Sequence, residues 1–196
     1  MYAKDSDGRW HKYYDQSKGS SCGPTCVRIV AEMVTGKEFG EEMIRQMIER
    51  DEGGVVSSLT SEARGAAQAG SHNWGNHGGH GSGGGGTGTW NLDNTLKNLG
   101  IPDAHVELGY PRNAFKKTSI KNPGIAACGW NAGWNGANAQ GLHWVVVAGT
   151  LRNGNYLIID PVYGIGEVSP NDAVLQYNPG SPATFLNNRT IITIRD

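Results

Sequence analysis

No apolar run in this sequence reaches the roughly eighteen residues that a membrane-crossing helix needs, so no membrane segment is expected. The opening stretch, Met1-Tyr2-Ala3-Lys4-Asp5-Ser6-Asp7-Gly8, lacks the apolar core of a signal peptide. The expected location is the cytoplasm, or outside the cell by way of a dedicated secretion system. Excess charge is also missing: the formal net charge is −1 and the pI about 6.6. That balance argues against a broad nucleic-acid or membrane-binding face, and no nucleic-acid partner is expected. Cysteine is sparse and odd in number, with three residues, which suits a thiol-based site better than a disulfide framework. Cys22 and Cys26 form neither a CxxC redox motif nor a zinc-ligand pair. Cys26 and Cys128 are expected in the core.

Glycine, in contrast, is abundant, at 30 of 196 residues, about twice the usual share of roughly 7%. Much of it falls between Gly75 and Gly88. The length predicts one domain, residues 1–196, large enough to bury a core without staples. Residues 70–90 read as a Gly-rich insertion, a mobile surface loop with too much backbone entropy to form an element. A lid over a substrate cleft is the alternative for the same loop. His72, His77 and His80 lie in it and invite a metal assignment. Their spacing matches no helical ligand pair, and the loop is not preorganised. No metal and no cofactor are expected.

The chain divides into helices first and strands later, an α+β layout with an antiparallel sheet. Residues 1–15 read as a leading arm that packs through Trp10, Tyr13 and Tyr14. A helix is predicted over 22–35, stopping at Thr35-Gly36, and a second over 37–51, with Met43, Ile44, Met47 and Ile48 on one face and Glu41 and Glu42 in its first turn. Shorter helices are expected at 63–69 and 92–99, the latter with Asn91 as N-cap and Gly100 as C′ glycine. Residues 104–108 suggest a strand and 112–120 a solvated loop or short helix. Strands follow at 124–130, 143–151, 155–160, 164–168 and 190–194, with a short helix at 171–177 after Ser169-Pro170. Asn153-Gly154 is a strong hairpin signal between two of these strands.

Three places carry chemistry. Cys22 opens the first helix inside Ser21-Cys22-Gly23-Pro24, where a helix N-terminus lowers a thiol's pKa and offers N–H groups to an oxyanion. The competing reading is an inert buried thiol. His143 begins a hydrophobic strand, and Asp160 ends the strand paired with it through Asn153-Gly154. A bulge can absorb the offset between them, so both side chains can reach the same end of the sheet. There Asp160 can fix the imidazole tautomer and leave the other nitrogen for the thiol. Pro161 ends the strand and holds the carboxylate's loop. Gln16, six residues before Cys22, is an uncharged donor suited to an oxyanion hole; taken alone it is an ordinary surface residue. Trp130, Trp134 and Trp144 either shield the His–Asp pair or simply pack in the core. Cys128 is a poor alternative nucleophile, because no helix begins after it.

Gln16…Cys22-Gly23-Pro24, His143-Trp144-Val145-Val146-Val147 and Asp160-Pro161 together resemble the papain-like cysteine peptidases. Within them they look most like the peptidase C39-like group, the double-glycine leader peptidases and their free-standing relatives. The resemblance implies an N-terminal helical lobe with the nucleophile helix packed on a C-terminal antiparallel β-sheet. It implies Gln16 as oxyanion donor, Cys22 as nucleophile, His143 as base and Asp160 as orienting acid, acting on a protein or peptide substrate. The sequence departs from the group in its long gap between Cys22 and His143 and in having no membrane or ATPase segment attached. A lone papain-like domain also resembles bacterial effector and toxin domains, some of which deamidate glutamine. An effector would imply a cognate immunity or chaperone protein. A third reading is a catalytically idle papain-like binding domain.

Overall fold

The structure is a computed structural model and describes residues 1–17, 21–58, 87–130, 142–171, 175–177 and 183–193. The expected helix at 63–69, His72, His77, His80, most of the Gly-rich insertion and Trp134 lie outside the described residues. The fold is α+β, with helices gathered in the N-terminal part and an antiparallel sheet in the C-terminal part.

The chain opens with a small hairpin, β1 (Tyr2–Lys4) and β2 (Trp10–Lys12), paired Tyr2 to Lys12. Tyr13 and Tyr14 pack onto the main core, as expected of the arm's aromatic end. Trp10 does not: it is 64% exposed, with the Lys4 ammonium over its ring. Helix α1 (Cys22–Thr35) follows and ends at Gly36, whose φ of 70° is the left-handed C-cap that a side chain would resist. Its Ile29, Val30 and Ala31 are buried.

Helix α2 (Glu41–Ser58) begins later and runs further than the sequence suggested. Gly53-Gly54 weakens a helix but does not end it where no cap or proline follows. Helix α3 (Thr89–Asn98) is also longer at its start: Gly88 is the N-cap and Asn91 lies inside the helix. Its end is as expected. Gly100, at φ 93°, donates to Lys97 O, and Ile101 donates to Leu96 O. That is the paired bonding of a Schellman motif, closed by the buried Leu96 and Ile101 side chains.

Strand β3 (His105–Glu107) and the short helix α4 (Pro111–Phe115) lead into the sheet. Its other strands are β4 (Gly124–Trp130), β5 (Leu142–Thr150), β6 (Tyr156–Asp160), β7 (Gly164–Val168), β8 (Gln176–Tyr177) and β9 (Ala183–Ile192). Seven strands run in the order β3-β9-β4-β5-β6-β7, with β8 added onto β9, and every pairing is antiparallel.

Two sequence expectations are corrected here. Residues 175–177, expected in a helix, end in a strand because β9 offers Ala183 and Thr184 as ladder partners. The last strand begins at Ala183, not Thr190, since β4 pairs with it along both halves across a bulge.

The two faces of the sheet bury different cores. Trp144, Val146, Leu157 and Ile159 face the helices α1, α2 and α3. Val145, Val147, Ile158 and Phe185 face the other way, toward α4 and Tyr177 of β8. Alternation along the strand makes this division. It also settles Trp144: the residue next to His143 points to the helix side, 1% exposed, and its indole N–H donates to Thr87 O at 3.0 Å. It is a core residue.

Candidate active site

The end of the β5–β6 hairpin carries the first two candidate residues. Leu151 and Asn155 close the turn by backbone hydrogen bonds, with Gly154 at φ 88°. The strands pair Val146 to Ile159 and Val147 to Ile158, and the register shifts between Val147 and Thr150. This is a bulge of the kind that can absorb the offset between His143 and Asp160. Gly149 sits in it at φ 110°, where an added Cβ would lie 2.9 Å from the Ser119 Cα. Extending the register by one residue sets Asp160 opposite Val145, with His143 two residues away on the same face. The imidazole Nε2 and Asp160 Oδ1 are 2.9 Å apart.

Asp160 is fully buried. Its Oδ1 also accepts the backbone N–H of Val162 at 2.7 Å and of Tyr163 at 3.1 Å. The carboxylate thus folds its own loop into an Asx-type turn just past Pro161. These bonds compensate for removing a charge from water.

Helix α1 brings the thiol. Ser21 is its N-cap by position but makes no side-chain cap, and the first turn contains no acidic residue. The Ser21 hydroxyl instead accepts from the Arg45 guanidinium. No capping side chain therefore competes for the N–H groups of the first turn, which carry the positive end of the helix dipole. Gly23 is needed for close approach: a Cβ there would lie 2.9 Å from the Thr87 side chain.

Cys22 is partly exposed, while Cys26 and Cys128 are buried, and all three are free thiols. Cys22 lies near enough to His143 for its thiol to act on the charge of the ring. With Nε2 held by Asp160, Nδ1 is the nitrogen left for the sulfur. Burial opposes charging the ring, but the hydrogen bond to Asp160 and the interaction with Cys22 outweigh it. The His143 pKa rises from 6.5 to about 9.

Cys26 behaves oppositely: burial, with the charges of Cys22 and Asp160 adding, pushes its thiol well above the ordinary value. Cys128 is raised for the same reasons, and it lies beneath the site with its S–H directed at His143 O, 3.6 Å away. Both remain protonated near neutral pH, as their expected core placement implies.

Gln16 joins the same cluster through its backbone, which donates to Pro161 O at 2.9 Å. Its side-chain oxygen is buried. The segment is braced from α2: Glu41 accepts the Ser17 N–H at 3.1 Å and the Ser17 hydroxyl at 2.5 Å. Burial raises the Glu41 pKa, but these Ser17 bonds lower it further, so the carboxylate stays charged. Sequence reasoning placed Glu41 only as a favourable charge in a first helical turn. Its bonds to Ser17 span 24 positions and leave no local pattern.

Among the described residues, no group of three or more His, Cys, Asp or Glu side chains is arranged to hold a metal ion. No described helix is long and apolar enough to cross a membrane.

No protein-family model matches the chain, and no curated protein matches its sequence. Solved structures do. The chain is similar in fold to the peptidase domain of Streptococcus ComA, a bifunctional ABC transporter involved in quorum sensing. The TM-score is 0.50 and the identity 15%, over 92% of this chain and 95% of that one. A double-glycine motif protease from an AMS/PCAT transporter, solved with its leader peptide, also aligns. Its TM-score is 0.48 at 15% identity, over 92% of this chain and 88% of that one.

Proposed function

We propose that this chain is a papain-like cysteine peptidase that cleaves a protein or peptide through a thioester on Cys22. The observation that carries the reading is the placement of the imidazole. His143 hydrogen-bonds to Asp160 and lies within interaction range of Cys22, which opens a helix with no side-chain cap. The similarity in fold to a peptidase domain agrees with it.

In this reading the thiolate attacks the scissile carbonyl carbon, forming a C–S bond and placing charge on oxygen. The Cys22 backbone N–H and the Gln16 carboxamide receive that charge. His143 gives its proton to the leaving amine as the C–N bond breaks. Water then attacks the thioester, His143 takes the proton, and the C–S bond breaks to release the acid and the thiol. Asp160 holds the ring's orientation and supports its positive charge throughout.

Incubation with peptide and protein libraries followed by mass spectrometry tests this. Cut chains that are absent with Cys22→Ala support the proposal. Intact chains carrying the small mass gain of an amide turned to acid would reassign the protein as a deamidase on the same fold. No product at all, with all three thiols alkylated slowly and equally, would leave an idle binding domain.

A further inference from the structure

The two oxygens of Asp160 are treated very differently. Oδ1 meets three donors, whereas Oδ2 is buried and has no hydrogen-bond partner among the described residues. A buried carboxylate oxygen left in that state is costly. One side chain is set against it. Tyr177, on β8, is 4% exposed and held by pairing with Ala183.

Its position follows from a glycine. A Cβ built on Gly166 would lie 2.9 Å from Tyr177 Cε2 and 3.0 Å from its hydroxyl oxygen, so the phenol lies flat over that backbone. Gly166 pairs with Ile158, which shares a face with Asp160 two residues along the strand. That places the phenol on the face of the sheet that carries Asp160, near enough for the carboxylate's charge to act on it.

We propose that Tyr177 is a positioning residue for Asp160, its hydroxyl closing onto Oδ2 and locking the carboxylate that holds His143. Gly166 is the clearance that lets it do so. The inference rests on the site reading above, with Asp160 as the orienting acid.

Burial, then the negative charge of Asp160, raises the Tyr177 pKa far above its usual range, so the hydroxyl stays a donor at every working pH. The other titratable groups around the carboxylate are His143 from β5, Cys128 from β4, Cys22 and Cys26 from α1, and Tyr163 from the turn after β6. Of these, His143 is the group whose raised value, about 9, lies in the working range. Without the Tyr177 hydroxyl the carboxylate is free to turn away from His143 Nε2, which weakens its support of the imidazolium.

The test is the rate of Cys22 alkylation by iodoacetamide against pH, in the full chain and in Tyr177→Phe and Gly166→Ala. The expected result is an alkaline limb moved down from about 9 by about one pH unit in both variants. Gly166→Ala keeps the hydroxyl but pushes it away, so it reports position and not composition. A purely structural role would scale the rate at every pH and leave the limbs in place; that outcome in either folded variant overturns the proposal.

If neither variant folds, the wild-type protein decides. With tyrosine labelled at the phenolic carbon, the Tyr177 signal must follow the titration of His143 near 9, passed on through the shared carboxylate, and a flat signal overturns the inference. Alkylation does not require a substrate. A chain that cuts no peptide but shows the shifted limb loses the peptidase reading and keeps the Tyr177 assignment; cut peptides with an unmoved limb give the reverse.

Discussion

Replacing Asp160 by Asn isolates what the carboxylate charge does for His143. The asparagine oxygen can keep all three Oδ1 partners, His143 Nε2, Val162 N and Tyr163 N. Its new amide group would point toward the Tyr177 hydroxyl, whose oxygen can accept. The fold and the turn should therefore survive. What disappears is the charge. A hydrogen bond to a charged group is worth about 1.5–3 kcal/mol, and each pKa unit corresponds to about 1.4 kcal/mol.

The His143 pKa of about 9 should accordingly fall by about one to two units, with the Cys22 contribution remaining. The sign is fixed: an imidazole with a raised pKa holds its proton up to that value, so lowering the value abolishes the charged pair at a lower pH. The alkaline limb of Cys22 alkylation, and of peptide cleavage, should shift down by that amount. At neutral pH the cleavage rate should drop by about tenfold to a hundredfold, leaving weak activity. An unchanged limb near 9 with full activity would refute the reasoning and mean that another group orients His143.

Cys22→Ala and His143→Ala should each abolish cleavage while leaving the thermal midpoint within a few degrees of wild type, checked by calorimetry. In the wild-type protein Cys22 should alkylate much faster than Cys26 or Cys128, because it is partly exposed while burial pushes both other thiols up and screens them from reagent; peptide mapping reads this. Gly149→Ala puts a side chain at φ 110° against Ser119 and should cost about 2–4 kcal/mol in urea unfolding, whereas wild-type stability would mean that the bulge tolerates any residue. Glu41→Ala should speed amide exchange at Ser17 by about tenfold or more and slow cleavage without moving either pH limb.

Much of this arrangement was legible in the sequence where the signal was local. The helix opening at Cys22 and stopping at Gly36, the hairpin at Asn153-Gly154 and the runs of β4, β5 and β6 all follow from periods, caps and turn residues a few positions apart. Even the bulge was legible, because seventeen residues separate His143 from Asp160 and an unbroken ladder would set them out of register. The errors have one origin. The first half of β9, the strand ending of 175–177 and the bonds from Glu41 to Ser17 depend on partners distant in the chain. Tyr177 is the sharpest case: alone it is one more aromatic residue near a terminus, and only the pairing of β7 with β6 and of β8 with β9 brings it to Asp160. The helix ends failed differently. Asn91 has the chemistry of an N-cap, yet Gly88 took that position, with Thr87 before it and Leu92 after it packed against Gly23 at the start of α1.

The geometry also explains why the reactive elements would act as a unit. Pro161 O receives the Gln16 N–H, and Asp160 Oδ1 folds the turn that contains Pro161. The residue whose carboxamide would help to hold an oxyanion is therefore tied to the same short loop as the carboxylate that orients the imidazole. A shift of that loop would misplace both at once, and a shift of α1 would carry Cys22 away from His143. The braces sit where such shifts would begin: Glu41 and Arg45 of α2 grip Ser17 and Ser21 on either side of the segment between Gln16 and Cys22. Removing one brace should degrade nucleophile, base and oxyanion site together, so double substitutions such as Glu41→Ala with Asp160→Asn should lose less than the sum of the single effects. Full additivity in that cycle would show that Glu41 and Asp160 act on independent parts.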